Sequence, residues 1–294
     1  MSFLFEIKQR LKQPWLLPPY FLYKLKKLFK ADFKHSRSDF DQVAIDVVLV
    51  TIQKDYKAVV KSISSLSNVC HTINKIFIVS TDNPEIRNIC STYNCVFIDE
   101  NSYLPVKKED INLKVQGWDR SGWILQQLLK FGADSFVEMP NFLILESDTI
   151  FLNPVGFLQG GKFVFGNSEE WNPPYFDAFK RLFGFGIKCP LSFIVHMMIF
   201  NKQLLKECKD EMEKKHNMPW YKAYLAAVDR SELSSIADYE NYAHWVYCKY
   251  PQKVIRKIFY NTGLGPSKLT DWQMLRAKYG DKYNSVSFHS YLKD

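Results

Sequence analysis

The chain has 294 residues, 47% of them hydrophobic and 16% aromatic, which excludes a disordered protein and allows one large domain or two closely packed halves. The net charge of +8 is lopsided, because residues 1–37 hold nine basic and two acidic groups and everything after Arg37 carries only +1. A nucleic-acid-binding body would carry its basic footprint on the folded part, so that class is excluded.

In chain order, residues 1–40 form a segment of their own. Phe3, Leu4, Phe5, Ile7 and Leu11 recur at helical spacing among Lys8, Arg10 and Lys12, and prolines 14, 18 and 19 interrupt. Residues 20–30 (YFLYKLKKLFK) then predict a second basic amphipathic helix. Lysines on one side and Phe, Leu and Tyr on the other suit an interfacial helix on anionic lipid. The alternative is a helix packed on the body with its lysines as the wet face. From Ala44 the pattern changes to strand (44–52), helix (55–66), strand (73–80), helix (85–93) and strand (95–98), the opening of an open α/β sheet. A helix at 123–131 leads into the apolar strand 142–145. Strands are expected at 162–165 and 191–200, a loop at 166–190, and helices at 204–216, 219–228 and 239–250. The six cysteines include no Cys-x-x-Cys pair and fit a reduced, cytoplasmic chain. The start lacks an apolar signal core, and no stretch approaches the ~20 apolar residues of a membrane span.

Chemistry concentrates after the strand 142–145, where Glu146-Ser147-Asp148 interrupts an apolar run that resumes as Ile150-Phe151-Leu152. Isolated carboxylates are costly to bury without pairing or a metal. At i and i+2 on extended chain both point to one side and suit a divalent cation with oxygen ligands. The alternative is a polar turn cap. Arg120 and Lys130 are candidate phosphate contacts beside this pair or ordinary surface charges. In such a sheet a nucleotide lies over the carboxyl end of the first strand, which nominates Thr51 and Gln53. They equally suit a polar loop capping the next helix through Asp55. No glycine-rich dinucleotide or Walker loop follows the strand.

These motifs carry a resemblance. Glu146-Ser147-Asp148 is similar to the Asp-x-Asp region of glycosyltransferases with the GT-A fold. Together with Gly122-Trp123-Ile124-Leu125-Gln126-Gln127-Leu128-Leu129-Lys130, His196-Met197-Met198 and Asp238-Tyr239-Glu240, it resembles a sparsely characterised bacterial family of GT-A-type glycosyltransferases, over about residues 43–294. The resemblance implies a mostly parallel α/β sheet flanked by helices. Residues 41–294 would then be one catalytic domain, with a nucleotide-binding half (41–155) and an acceptor-binding half (156–294). It implies sugar transfer from a nucleotide-sugar donor, a UDP-sugar favoured, with Mn²⁺ or Mg²⁺ held by Glu146, Asp148 and a C-terminal His289. It further implies Asp238 or Glu240 as the base of an inverting reaction, with a helix N-cap as their alternative role. His196 becomes a donor or acceptor contact, where an apolar strand would otherwise make it a core histidine. Trp171 and Tyr175 suit a sugar-stacking platform or local packing under a loop.

The expectation is therefore a cytoplasmic glycosyltransferase, peripheral on the inner membrane face through residues 1–37, acting on a surface glycan or lipid-linked saccharide. A sugar-phosphate nucleotidyltransferase is the nearest rival, disfavoured by the missing glycine-rich triphosphate loop. A non-catalytic glycan-binding or scaffold protein on the same fold is the other, separable by donor binding.

Overall fold

The structure is a computed structural model that describes residues 7, 10–11 and 14–292. The helix expected at 3–11 lies largely outside the described residues. Helix α1 (Leu17–Leu28) is followed by strand β1 (Ala44–Val50), helix α2 (Tyr56–Ser65), β2 (Thr72–Ser80), α3 (Pro84–Thr92) and β3 (Val96–Asp99). After a one-turn helix at Lys108–Ile111, a small hairpin pairs β4 (Lys114–Val115) with β5 (Trp118–Asp119) and opens into α4 (Ser121–Gly132). Strands β6 (Asn141–Leu145), β7 (Thr149–Phe151), β8 (Leu158–Gln159) and β9 (Lys162–Asn167) precede α5 (Pro173–Phe183) and β10 (Met197–Asn201). The chain closes with α6 (Lys202–His216), α7 (Trp220–Ala226), α8 (Asp238–Lys249), β11 (Val254–Ile258), β12 (Asn261–Leu264), α9 (Trp272–Tyr279) and β13 (Ser285–Phe288).

The main sheet has the order β10-β6-β1-β2-β3, parallel throughout except for β10. Its centre is built from the continuous apolar runs of β1 and β6, buried on both faces as parallel-sheet strands require. Winding runs outward from β1 through β2 to β3, then returns to the other side of β1 at β6. The carboxyl ends of β1 and β6 therefore flank a topological switch point, where open α/β sheets leave a crevice. Asp46 within β1 is fully buried but satisfied by Asn74 Nδ2 and by the backbone N–H groups of Lys75, Glu138 and Met139.

Two smaller sheets complete the body. One runs β11-β9-β8; the other runs β12-β13-β7, with β13 antiparallel to β7. The second ties the C-terminal strand to the residues just after the acidic motif. The serines of α2 brace the same place: Ser62 Oγ lies 3.0 Å and 2.7 Å from the carbonyls of Ser147 and Thr149, and Ser65 Oγ accepts from Phe151 N at 3.0 Å.

Several sequence expectations change. Residues 173–183 form a helix, not a loop, because Pro173-Pro174 preset its first turn and Tyr175, Ala178, Phe179 and Leu182 give it a buried stripe. The expected strand 191–200 shortens to 197–201, since His196 adopts a left-handed φ of 67°. Helix α1 starts at Leu17, with its prolines at the first helical positions. It docks on the body through buried Tyr20 and Tyr23 and through Lys24 and Lys27 paired with Glu169. Phe21, Leu22, Leu25, Leu28 and Phe29 face outward, with Leu28 76% and Phe29 75% exposed. No helix among the described residues is long and apolar enough to cross a membrane.

Candidate active site

A cleft of about 620 Å³ opens over the carboxyl ends of β1 and β6. Its walls come from the segment after β1, the β4–β5 hairpin and α4, the turn between β6 and β7, the N-terminus of α8 and the segment after β13. Glu146, Ser147 and Asp148 form that turn, which begins where the apolar β6 ends. Glu146 N donates to His196 O at 2.9 Å, and Thr149 N closes the turn on Glu146 O at 3.0 Å. Phe288 N donates to Asp148 O at 3.0 Å, and Thr149 Oγ1 bonds Ser287 Oγ at 2.7 Å. These ladder contacts set His289 Nδ1 3.6 Å from Asp148 Oδ2, with the His196 and His289 rings 5.3 Å apart. His289 is thus fixed in place, its N–H bonded to Leu264 O at 3.0 Å. Burial pushes the His196 imidazole below its usual pKa, partly offset by the Glu146 and Asp148 charges.

Lys130 stands opposite. Its ammonium is buried and bridges two carboxylates, hydrogen-bonding Glu146 Oε1 and standing 3.3 Å from Asp238 Oδ2. Burial alone would lower its pKa, but Asp238 and Glu146 together hold the ammonium above its usual range. Burial raises the Asp238 carboxyl; Lys130 pulls it back and Glu146 pushes it up again. Asp238 sits at the first turn of α8, where its own N–H donates to Gln127 Oε1 at 2.9 Å.

The cleft gathers most of the residues nominated from sequence: Arg120, Lys130, Glu146, Asp148, Tyr175, His196, Asp238 and His289 all line it. Four do not. Thr51 is buried, with its N–H on Val79 O, and Gln53 turns outward to Glu85; Ile52, Lys54 and Asp55 line the cleft after β1 instead. Trp171 is buried against Phe176, at 4.3 Å between ring centroids, so it offers no open face to a sugar. Glu240 lies one residue beyond Tyr239 on α8 and faces inward. It is held by Ser192 Oγ and by Phe193 N at 3.1 Å, 3.0 Å from His244 Nε2. A carboxylate so enclosed is a structural bond acceptor, not a base for a substrate. Two roles also shift. Lys130 neutralises carboxylates where a phosphate contact was expected. Glu146, expected as a metal ligand, gives an oxygen to Lys130. Arg120 Nε donates to Leu233 O at 2.8 Å and its guanidinium covers Trp123 at 4.3 Å.

Sequence reasoning missed Asp55 as a cleft residue. Burial raises its carboxyl, with further upward pushes from Asp148 and Glu146. The sequence shows Asp55 only as the residue before a helix, and its approach to the acidic turn depends on the β1–β6 pairing. Trp118, at the rim and two-thirds exposed, was also missed; the Gln116-Gly117 turn that presents it has φ of 50° and 81° and was the available signal.

A family of unknown function (DUF6492) matches residues 51–275, most of the chain. The protein belongs to this family. No curated protein sequence matches. Among solved structures the chain is similar to mouse xyloside xylosyltransferase 1 in its apo form, at 11% identity over 85% of this chain and 99% of the other, with a TM-score of 0.43. It is similar to the galactosyltransferase LgtC in complex with donor and acceptor sugar analogues, at 10% identity over 85% and 88%, with a TM-score of 0.45. It is also similar to the glycosyltransferase GlyE of Streptococcus pneumoniae TIGR4, at 12% identity over 85% and 55%, with a TM-score of 0.37.

Proposed function

We propose that this family member is a metal-assisted glycosyltransferase of the GT-A type, which takes a sugar from a nucleotide-sugar donor bound over the β1/β6 crevice. The observation that carries this reading is the pairing of Asp148 with His289 at 3.6 Å inside a cleft at the switch point. Among the described residues no three His, Cys, Asp or Glu stand together as a complete metal cage. The pair nonetheless fits a divalent ion that shares its remaining positions with a diphosphate and water, as Mg²⁺ and Mn²⁺ sites on phosphates do. Four carboxylates (Asp55, Glu146, Asp148 and Asp238) line the cleft with three cationic side chains (Lys54, Arg120 and Lys130), and Asp55 feels the charges of both Glu146 and Asp148, which favours a cation at that end. When bound, the ion would offset the charge growing on the departing nucleoside diphosphate.

The chain's own residues supply the rest. Asp148 and His289 hold the cation. Lys130 pairs with Glu146 and Asp238 and fixes both side chains. Asp238, buried and raised, is placed to take the proton of an acceptor hydroxyl. Trp118, exposed at the rim, offers an apolar face for a sugar ring. The outward Phe and Leu of α1, flanked by Lys26 and Lys30, support docking on an anionic membrane surface and hence a lipid-linked or surface glycan acceptor.

A thermal-shift screen of UDP-, GDP- and other nucleotide sugars, with and without Mn²⁺, tests the reading. A ligand of the folded state raises its apparent stability. Asp148→Ala should abolish the metal-dependent part of that shift, and an unchanged shift would remove Asp148 from the metal site.

A further inference from the structure

Two buried side chains in the wall between α4 and α8 each leave one polar atom without a hydrogen-bond partner among the described residues. Gln127 is 3% exposed. Its Oε1 accepts from Asp238 N at 2.9 Å and from Tyr224 Oη at 2.8 Å, and the Asp238 N–H fixes the amide: flipped, the NH₂ would face that donor. The remaining Nε2 donor has no hydrogen-bond partner among the described residues. Tyr239 is 2% exposed, with the Lys130 ammonium 4.9 Å from its ring centroid. Its hydroxyl is within reach of the Glu146 carboxylate and forms no regular hydrogen bond among the described residues. Buried polar atoms are nearly always paired, and leaving them unpaired lowers stability. Both residues line one cleft, beside a carboxylate, which indicates what should enter it.

We propose that Gln127 and Tyr239 read a ring hydroxyl of a bound sugar and so set which sugar this protein accepts. The inference rests on the glycosyltransferase reading and names the determinant of its specificity. Gln127 Nε2 donates, the Tyr239 hydroxyl donates or accepts, and the neighbouring Asp238 accepts. A sugar hydroxyl, at once donor and acceptor, matches that set. A diphosphate oxygen does not, because it only accepts and has no proton to give to Asp238. A site built on buried hydrogen-bonding groups rejects an analogue lacking the matching hydroxyl far more strongly than an apolar pocket rejects a missing methylene. Discrimination of at least about 100-fold against the deoxy analogue is therefore expected.

The test uses the full chain, wild type and Tyr239→Phe. Melting is measured without ligand; calorimetric titrations with Mn²⁺ then use UDP, GDP, UDP-glucose, UDP-galactose, GDP-mannose, and free glucose, galactose and mannose. Tyr239→Phe should melt at the wild-type temperature or above, because it deletes an unpaired hydroxyl. It should bind the bare nucleotides as before and lose about tenfold or more of the preference for a sugar-bearing ligand. Gln127→Glu keeps the oxygen that Asp238 and Tyr224 bond while removing the donor, and should show the same loss. A loss confined to nucleotide sugars assigns the hydroxyl to the donor; one confined to free sugars assigns it to the acceptor. A lowered melting temperature in Tyr239→Phe, or sugar preference absent from the wild type or unchanged in both variants, overturns the proposal. If no nucleotide binds while a free sugar still separates wild type from Tyr239→Phe, the transferase reading fails and the hydroxyl reader stands.

Discussion

Lys130 shows how much of the site's stability rests on one side chain. Its ammonium is buried between Glu146 and Asp238, and removing one partner of a buried ion cluster leaves uncompensated charge that costs about 3–5 kcal/mol. Lys130→Met should therefore lower the unfolding free energy from denaturant titration by that order, whereas Arg120→Met, at the partly exposed rim, should change it little. Glu170 gives a pH signature. Burial, with a push from Glu240, raises its carboxyl to about 7. The folded state then holds a proton that the unfolded chain releases near pH 4.5, so the stability linked to Glu170 is full below about pH 4.5 and is lost as pH rises through about 7. Chemical denaturation from pH 4.5 to 8 should show that decline, and Glu170→Gln should flatten it. The Lys130 position was legible as functional from its motif, but its partners were not. Asp238 is far away in sequence, and only the meeting of α4 with α8 brings the two charges together.

At the level of elements, α2 carries the acidic turn through hydroxyls. Ser62→Ala should cost about 1–2 kcal/mol by stripping the hydrogen bond from the turn carbonyls, and should weaken the Mn²⁺-dependent thermal shift without touching a ligand. An unchanged shift in a destabilised Ser62→Ala would show that the turn holds its shape unaided. Helix α1 makes a different prediction. Its Tyr20 and Tyr23 face the body and its leucines face out, so Leu25→Glu combined with Leu28→Glu should leave folding intact. The pair should also abolish co-sedimentation with phosphatidylserine-containing vesicles, and retained binding would reject the membrane role. The sequence marked α1 as amphipathic, yet two of its lysines turned out to grip Glu169 rather than water. Helical periodicity reports that a helix has two faces; which face meets the body depends on what the body offers.

Across the whole molecule, the main sheet was readable because β1, β2 and β6 are long or continuously apolar, and burial on both faces leaves a run that no other element mimics at that length. Of the two small sheets only β9 was, as the strand expected at 162–165. Their strands span two to six residues, several with serine, threonine, asparagine or glycine, and their pairing joins segments remote in sequence. That is why His289 could be nominated but not placed: its position follows from β13 lying against β7. The same pairing has a consequence in time. Thr149 and Ser287, which bond across it, are 138 residues apart. At a synthesis rate of ~5–20 residues per second, a nascent chain would wait on the order of 10 seconds between making the acidic turn and making the strand that completes it. For that interval Asp148 lacks the imidazole of His289, so the proposed cation pair, unlike the central sheet, is complete only when the distant strand arrives.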